Sequence, residues 1–124
     1  MGPPLPPSPS RQGLPRAERL RKRAGFVAVQ GKGRKLHTDH FLVFALPQKT
    51  ASVTRLGITV SKKIGGAVQR NRVKRLVREA FRRHKLLFPP GIDLVFVAKR
   101  GAVEAHYDQV VREIEKLCSR HFAR

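Results

Sequence analysis

The segment from Lys62 to Lys85 restricts the folds open to this chain more than any other. It carries ten basic residues against a single acid, Glu79, yet Val73, Leu76, Val77, Ala80, Phe81 and Leu87 recur through it and just past it at i, i+3, i+4 and i+7. That spacing predicts one amphipathic helix over 67–87 whose apolar stripe must be buried against other elements. Two rows of cations flank the stripe. Arg70, Lys74 and Arg78 form one ridge, and Arg72, Arg75 and Arg82 or Arg83 form the other. Like charges four residues apart weaken a helix by roughly 0.2–0.5 kcal/mol per pair. Glu79 alone offsets little of this, whereas a polyphosphate would offset most of it. Arginine dominates both rows, and its planar fork grips phosphate with two bonds. Nucleic acid is the partner this pattern implies, and a merely solvated basic face is the plainer alternative.

The rest of the composition agrees. With 124 residues there is room for one domain and not for a large enzyme with its own cofactor-binding module. Lys and Arg number 27 against 8 Asp and Glu, a net charge of +19, which calls for a polyanionic partner. An anionic membrane surface is the weaker candidate. A single cysteine permits no internal disulfide and fits a reducing cytoplasm. No apolar run approaches the roughly 18 residues needed to span a bilayer, and no apolar segment near the N-terminus suits a signal peptide.

Residues 1–15 hold six of the nine prolines and read as a disordered tail, leaving 16–124 as the folded domain. Arg16 to Arg23 suits a short helix. Residues 26–30 read as a strand, 31–35 as a basic turn, 40–46 as a second strand stopped by Pro47, and 55–60 as a third. Pro89-Pro90-Gly91 ends the basic helix, and 94–98 reads as a buried strand. Tyr107, Val110, Val111, Ile114, Leu117, Cys118 and Phe122 mark a last helix. A strand–helix–strand passage from 55 to 98 implies parallel pairing of its two strands. The expected fold is therefore an α+β single-domain sandwich, with a small four-stranded mixed sheet, about three helices, and a βαβ crossover carrying the basic helix.

Ser61-Lys62-Lys63-Ile64-Gly65-Gly66 leads into the basic helix with a hydroxyl, two ammonium groups and two glycines. Free N–H groups at a helix start attract anions, although the spacing is not that of a nucleotide-binding P-loop. Catalytic residues are another matter. The eight acids are scattered, His37 and His40 lack a carboxylate or cysteine at ligand spacing, and Cys118 falls on an apolar stripe as a core residue. No catalytic site, metal site or cofactor site is predicted on the protein.

The run from Thr59 to Arg82 closely resembles the signature of the bacterial ribonuclease P protein component, with Arg70-Asn71-Arg72 as that family's RNR motif. A looser similarity extends from about Leu20 to Phe122. The resemblance implies the small subunit of a ribonucleoprotein that removes the 5′ leader from precursor tRNA, with the active site and its Mg²⁺ on a large RNA. It places RNA binding on Lys62, Lys63, Arg70, Asn71, Arg72, Lys74, Arg75 and Arg78. It places the single-stranded leader on the open face of the sheet, at Phe26, Phe44 and Thr59. Gln30 departs from the family, where an aromatic is common. The implied partners are the catalytic RNA and precursor tRNA. A ribosomal-type RNA-binding protein with no part in cleavage is the alternative, and a helix-turn-helix DNA binder does not fit a long helix between strands.

Overall fold

The computed structural model describes residues 14–48 and 53–122, so residues 1–13 of the predicted tail lie outside it. Four strands form one sheet: β1 (Arg34–His37), β2 (Phe41–Pro47), β3 (Arg55–Thr59) and β4 (Ile92–Ala98). Their spatial order is β1-β2-β4-β3. Three α-helices accompany them: α1 (Arg23–Lys32), α2 (Ala67–His84) and α3 (Tyr107–His121). β2 pairs antiparallel with β1 and β4, while β3 runs parallel to β4 across the crossover through α2. The α+β class, the mixed sheet and the crossover are those predicted.

Three local assignments are corrected. Residues 26–30 are not a strand but the middle of α1, and the helix expected at 16–23 shrinks to a 3-10 turn at Arg16–Glu18. The run Phe-Val-Ala-Val-Gln is apolar enough for either structure, and packing decides between them. Phe26 and Val29, three apart, face the sheet, while Val27 is 57% exposed. The missing strand comes from the segment read as a basic turn. Gly33 closes α1, where a Cβ would sit 2.5 Å from the Val29 carbonyl oxygen and 3.0 Å from that of Ala45. Only glycine turns this close to β2. Second, Leu14 is 2% exposed and part of the core, so the folded body begins before residue 16. Third, Leu87 leaves the apolar stripe, because α2 ends at His84 and Lys85–Leu87 form an exposed 3-10 turn.

Both faces of the sheet are occupied. The inner face presents Phe41, Val43 and Ala45 of β2, Leu56 of β3, and Leu94 and Phe96 of β4. Val73, Val77, Ala80 and Phe81 of α2 close it together with Val110, Ile114, Leu117 and Cys118 of α3. The Phe41 and Phe96 rings meet edge-on with centroids 5.6 Å apart. On the outer face Val95 packs with Leu20 and Val29, and Phe26, Phe44, Leu46 and Val97 lie partly buried around them. β4 is central and covered on both sides, which accounts for its unbroken apolar run. No helix among the described residues is long and apolar enough to cross a membrane.

Candidate nucleic-acid interface

The loop before α2 is tied to the helix by the helix's own side chains. The Gln69 Oε1 accepts from the Gly66 N–H at 2.9 Å, and the Arg70 guanidinium donates to the Gly65 carbonyl at 3.0 Å. Lys62 and Lys63 stand exposed on this loop, beside the unpaired N–H groups of the first turn. Asn71 and Arg75 are exposed along the solvent side of α2, and Lys74 and Arg78 are half-buried on the flank. The cations predicted from the sequence thus share one helix and its approach.

They are not equivalent. Arg72 lies on the flank facing α3, where its guanidinium donates to the Val103 and Ala105 carbonyls, both at 2.9 Å. It therefore holds α2 to the turn that precedes α3. Glu79 accepts from Arg82 at 2.6 Å and from Arg83 at 2.7 Å. Those bonds, the one from Arg82 foremost, hold its carboxyl below the usual glutamate range despite partial burial. Arg82 and Arg83 share the single charge of Glu79; Lys74, Arg75 and Arg78 have no ion pair among the described residues.

The second candidate surface is the outer face of the sheet. In β-pairing Phe44 stands opposite Val95, which stands opposite Gly57, so the three share a face. The Phe26 ring of α1 lies on Gly57: a Cβ there would come within 2.6 Å of its ring atoms. Thr59, two residues along and half-buried, shares that face with Val97 and Leu42. The sheet therefore brings together Phe26, Phe44 and Thr59, which the sequence separates by up to 33 positions. Phe26 and Phe44 are only partly buried and keep ring surface open. Gln30, one helical turn beyond Phe26, is exposed.

At the far end of the same face a buried carboxylate anchors the sheet. Asp93, 1% exposed, accepts from Arg55 at 2.6 and 2.9 Å and from Gln48 at 3.0 Å. These bonds raise the Arg55 pKa above its ordinary value.

His40, which in the sequence has no carboxylate at ligand spacing, meets one in the fold. Its Nδ1 and its backbone N–H both meet the Glu113 carboxylate, the latter at 2.9 Å, and so tie the β1–β2 connection to α3. Glu113 was not singled out from the sequence, although its place three residues after Val110 on the apolar stripe of α3 is the signal that could have found it. Cys118 is a core residue as predicted, and burial pushes its thiol pKa up to about 12. Among the described residues no group of three or more His, Cys, Asp or Glu side chains is placed to hold a metal ion.

A small α+β protein with a cation-lined crossover helix and a half-covered aromatic face is built to meet an extended polyanion. Comparison with known proteins makes this specific. The ribonuclease P family profile matches residues 14–121. The chain is 47% identical over 110 residues to the ribonuclease P protein component of Desulfovibrio desulfuricans, covering 86% of this chain and 85% of that one. It is 39% identical over 107 residues to the Syntrophus aciditrophicus component, covering 86% and 89%. Among solved structures it is similar to the RNase P protein of Thermotoga maritima, with a TM-score of 0.74, 34% identity, and 83% and 96% coverage. The Staphylococcus aureus RNase P protein gives 0.74 and 34%, with 82% and 93% covered. The chain belongs to the ribonuclease P protein family.

Proposed function

We propose that this chain serves as the protein subunit of ribonuclease P, binding the catalytic RNA through α2 and the 5′ leader of precursor tRNA through the outer face of the sheet. The observation that carries this reading is the row of cations on α2, Lys74, Arg75 and Arg78, that no acid among the described residues neutralises, on a chain of this family. Lys62, Lys63, Arg70, Asn71, Lys74, Arg75 and Arg78 face the RNA. Arg72 supports that surface from behind by fixing α2 against the turn before α3. Phosphate contacts of this kind supply affinity without reading sequence.

Phe26 and Phe44 offer ring faces on which unpaired bases stack, and the Thr59 hydroxyl can donate to or accept from a base or phosphate. Stacking tolerates every base, which suits leaders that differ between tRNAs. Hydrolysis belongs to the RNA subunit in this reading, together with the Mg²⁺ that activates water. The protein binds and orients, and the cytoplasm is where it does so.

Single-turnover cleavage of precursor tRNA, with the RNA subunit alone and with the full chain added at low Mg²⁺, tests the proposal. Addition of the protein should raise the rate and favour leader-bearing over mature tRNA in binding. An unchanged rate alongside tight RNA binding would instead identify a ribosomal-type RNA-binding protein.

A further inference from the structure

The α2 cations have a neighbour that the helix itself does not supply. The chain enters the fold alongside β3: Arg19 forms an isolated parallel bridge with Leu56, and the Leu20 N–H donates to the Leu56 carbonyl at 2.9 Å. The neighbouring Glu18 receives Lys85, two helical turns on from Arg78, at 3.0 Å, so the entering segment runs along the flank of α2 that carries Arg78. The Arg19 Nε donates to the Leu14 carbonyl at 2.7 Å, which fixes the base of the guanidinium and leaves its two terminal amino groups available. Arg78 is half-buried, and no hydrogen bond or ion pair reaches its guanidinium among the described residues.

Two guanidinium groups on one flank repel each other unless an anion lies near both. Here the nearby acids are engaged elsewhere. Glu18, adjacent to Arg19 in sequence, receives Lys85 at 3.0 Å on both oxygens. Glu79, adjacent to Arg78, receives Arg82 and Arg83. Burial, and secondarily the charge of Arg19, hold Arg78 below the ordinary arginine value. The pair is thus an uncompensated positive site formed by segments 59 residues apart, and one of its members is oriented by the backbone in advance.

We infer that Arg19 and Arg78 together grip one RNA backbone phosphate, extending the Arg70–Lys74–Arg78 ridge beyond the helix to the β3 edge. Along α2 that ridge places a cation about every 6 Å, and Arg19 continues it sideways with a fork suited to two-point contact. A single phosphate shared by both side chains relieves their repulsion, so the two act as a unit. The inference rests on the RNA-binding reading above and adds Arg19 to it. The phosphate can belong to the catalytic RNA or to precursor tRNA, and the chemistry is the same.

The test measures affinity against salt for full-length wild type, Arg19→Gln, Arg78→Gln and the double variant. One arm uses the RNA subunit alone, and the other uses precursor tRNA with the RNA subunit already bound. Either single variant should lose about tenfold in affinity. The salt slope should fall by about 0.7–0.9. The double variant should lose little more than either single one, since both touch the same phosphate. A loss confined to one arm names the source of the phosphate. Arg19→Lys guards against a folding defect: it keeps the charge, so it should retain the slope while losing affinity.

Wild-type slope and affinity for Arg19→Gln in both arms would overturn the inference, as would fully additive losses in the double variant. Arg75→Gln, on the solvent side of α2, separates this failure from a wider one. If it too leaves the slope unchanged, the RNA-binding reading of α2 falls with it.

Discussion

The two faces of the sheet are built to different standards. The inner face joins a cluster of twenty-two buried residues under two long helices, whereas the outer cluster has three, Leu20, Val29 and Val95, under the ten-residue α1. The same central strand serves both, with Phe96 turned inward and Val95 outward. The inner face has what a small domain needs for stability. The outer face leaves Phe26, Phe44, Leu46 and Val97 only partly covered, an apolar surface a folded chain would ordinarily close. Incomplete coverage on one side is tolerable because the other side supplies the stability.

That contrast can be broken by substitution. Phe81→Ala on the inner face removes a fully buried ring and should cost about 3–5 kcal/mol in urea unfolding; a loss below about 1 kcal/mol would mean the inner core is not what holds the chain together. Arg72→Ala removes two charge-assisted bonds between α2 and the turn before α3. It should cost about 1.5–3 kcal/mol of stability, visible in thermal melts without any RNA. Phe44→Ala should do the reverse, changing stability little but weakening leader-bearing substrate by about 1–3 kcal/mol. An equal loss with mature tRNA would mean that Phe44 serves the fold, as the inner face does, and not the leader.

Smaller effects sharpen the same comparison. Lys74→Ala should lower the salt slope of RNA binding by about 0.7–0.9 with no change in unfolding midpoint. Cys118 probes the inner face chemically. Its thiol pKa rises from 9.0 to about 12 in the folded chain, so the unfolded state loses its proton first as pH rises. That contribution to stability is complete below pH 9 and disappears progressively toward about pH 12. Cys118→Ala should flatten the alkaline limb of a stability–pH curve, and the native thiol should resist alkylation at neutral pH.

Much of this was legible in the sequence, and what was not has a physical cause. α2 was readable because its apolar stripe and its cations obey one period over eighteen residues. β4 was readable because a strand covered on both faces needs no alternation. α1 was misread because four apolar residues in a row carry no period, and only the packing of Phe26 and Val29 on the sheet selects a helix. β1 escaped notice because it buries Leu36 alone. The cation rows were visible as rows, but the difference between Arg72, bonded inward, and Arg75, exposed, depends on where α3 begins. Arg19 could not be associated with Arg78 at all, since nothing local signals a bridge to Leu56.

Position 57 has an evolutionary consequence. With the Phe26 ring occupying the space a methyl group would need, any side chain larger than hydrogen must displace the ring or push α1 off the sheet. That part of the outer face is closed to gradual change. Gln30, one turn along α1 and open to solvent, has no such restraint, so substitutions can accumulate there while residue 57 stays fixed.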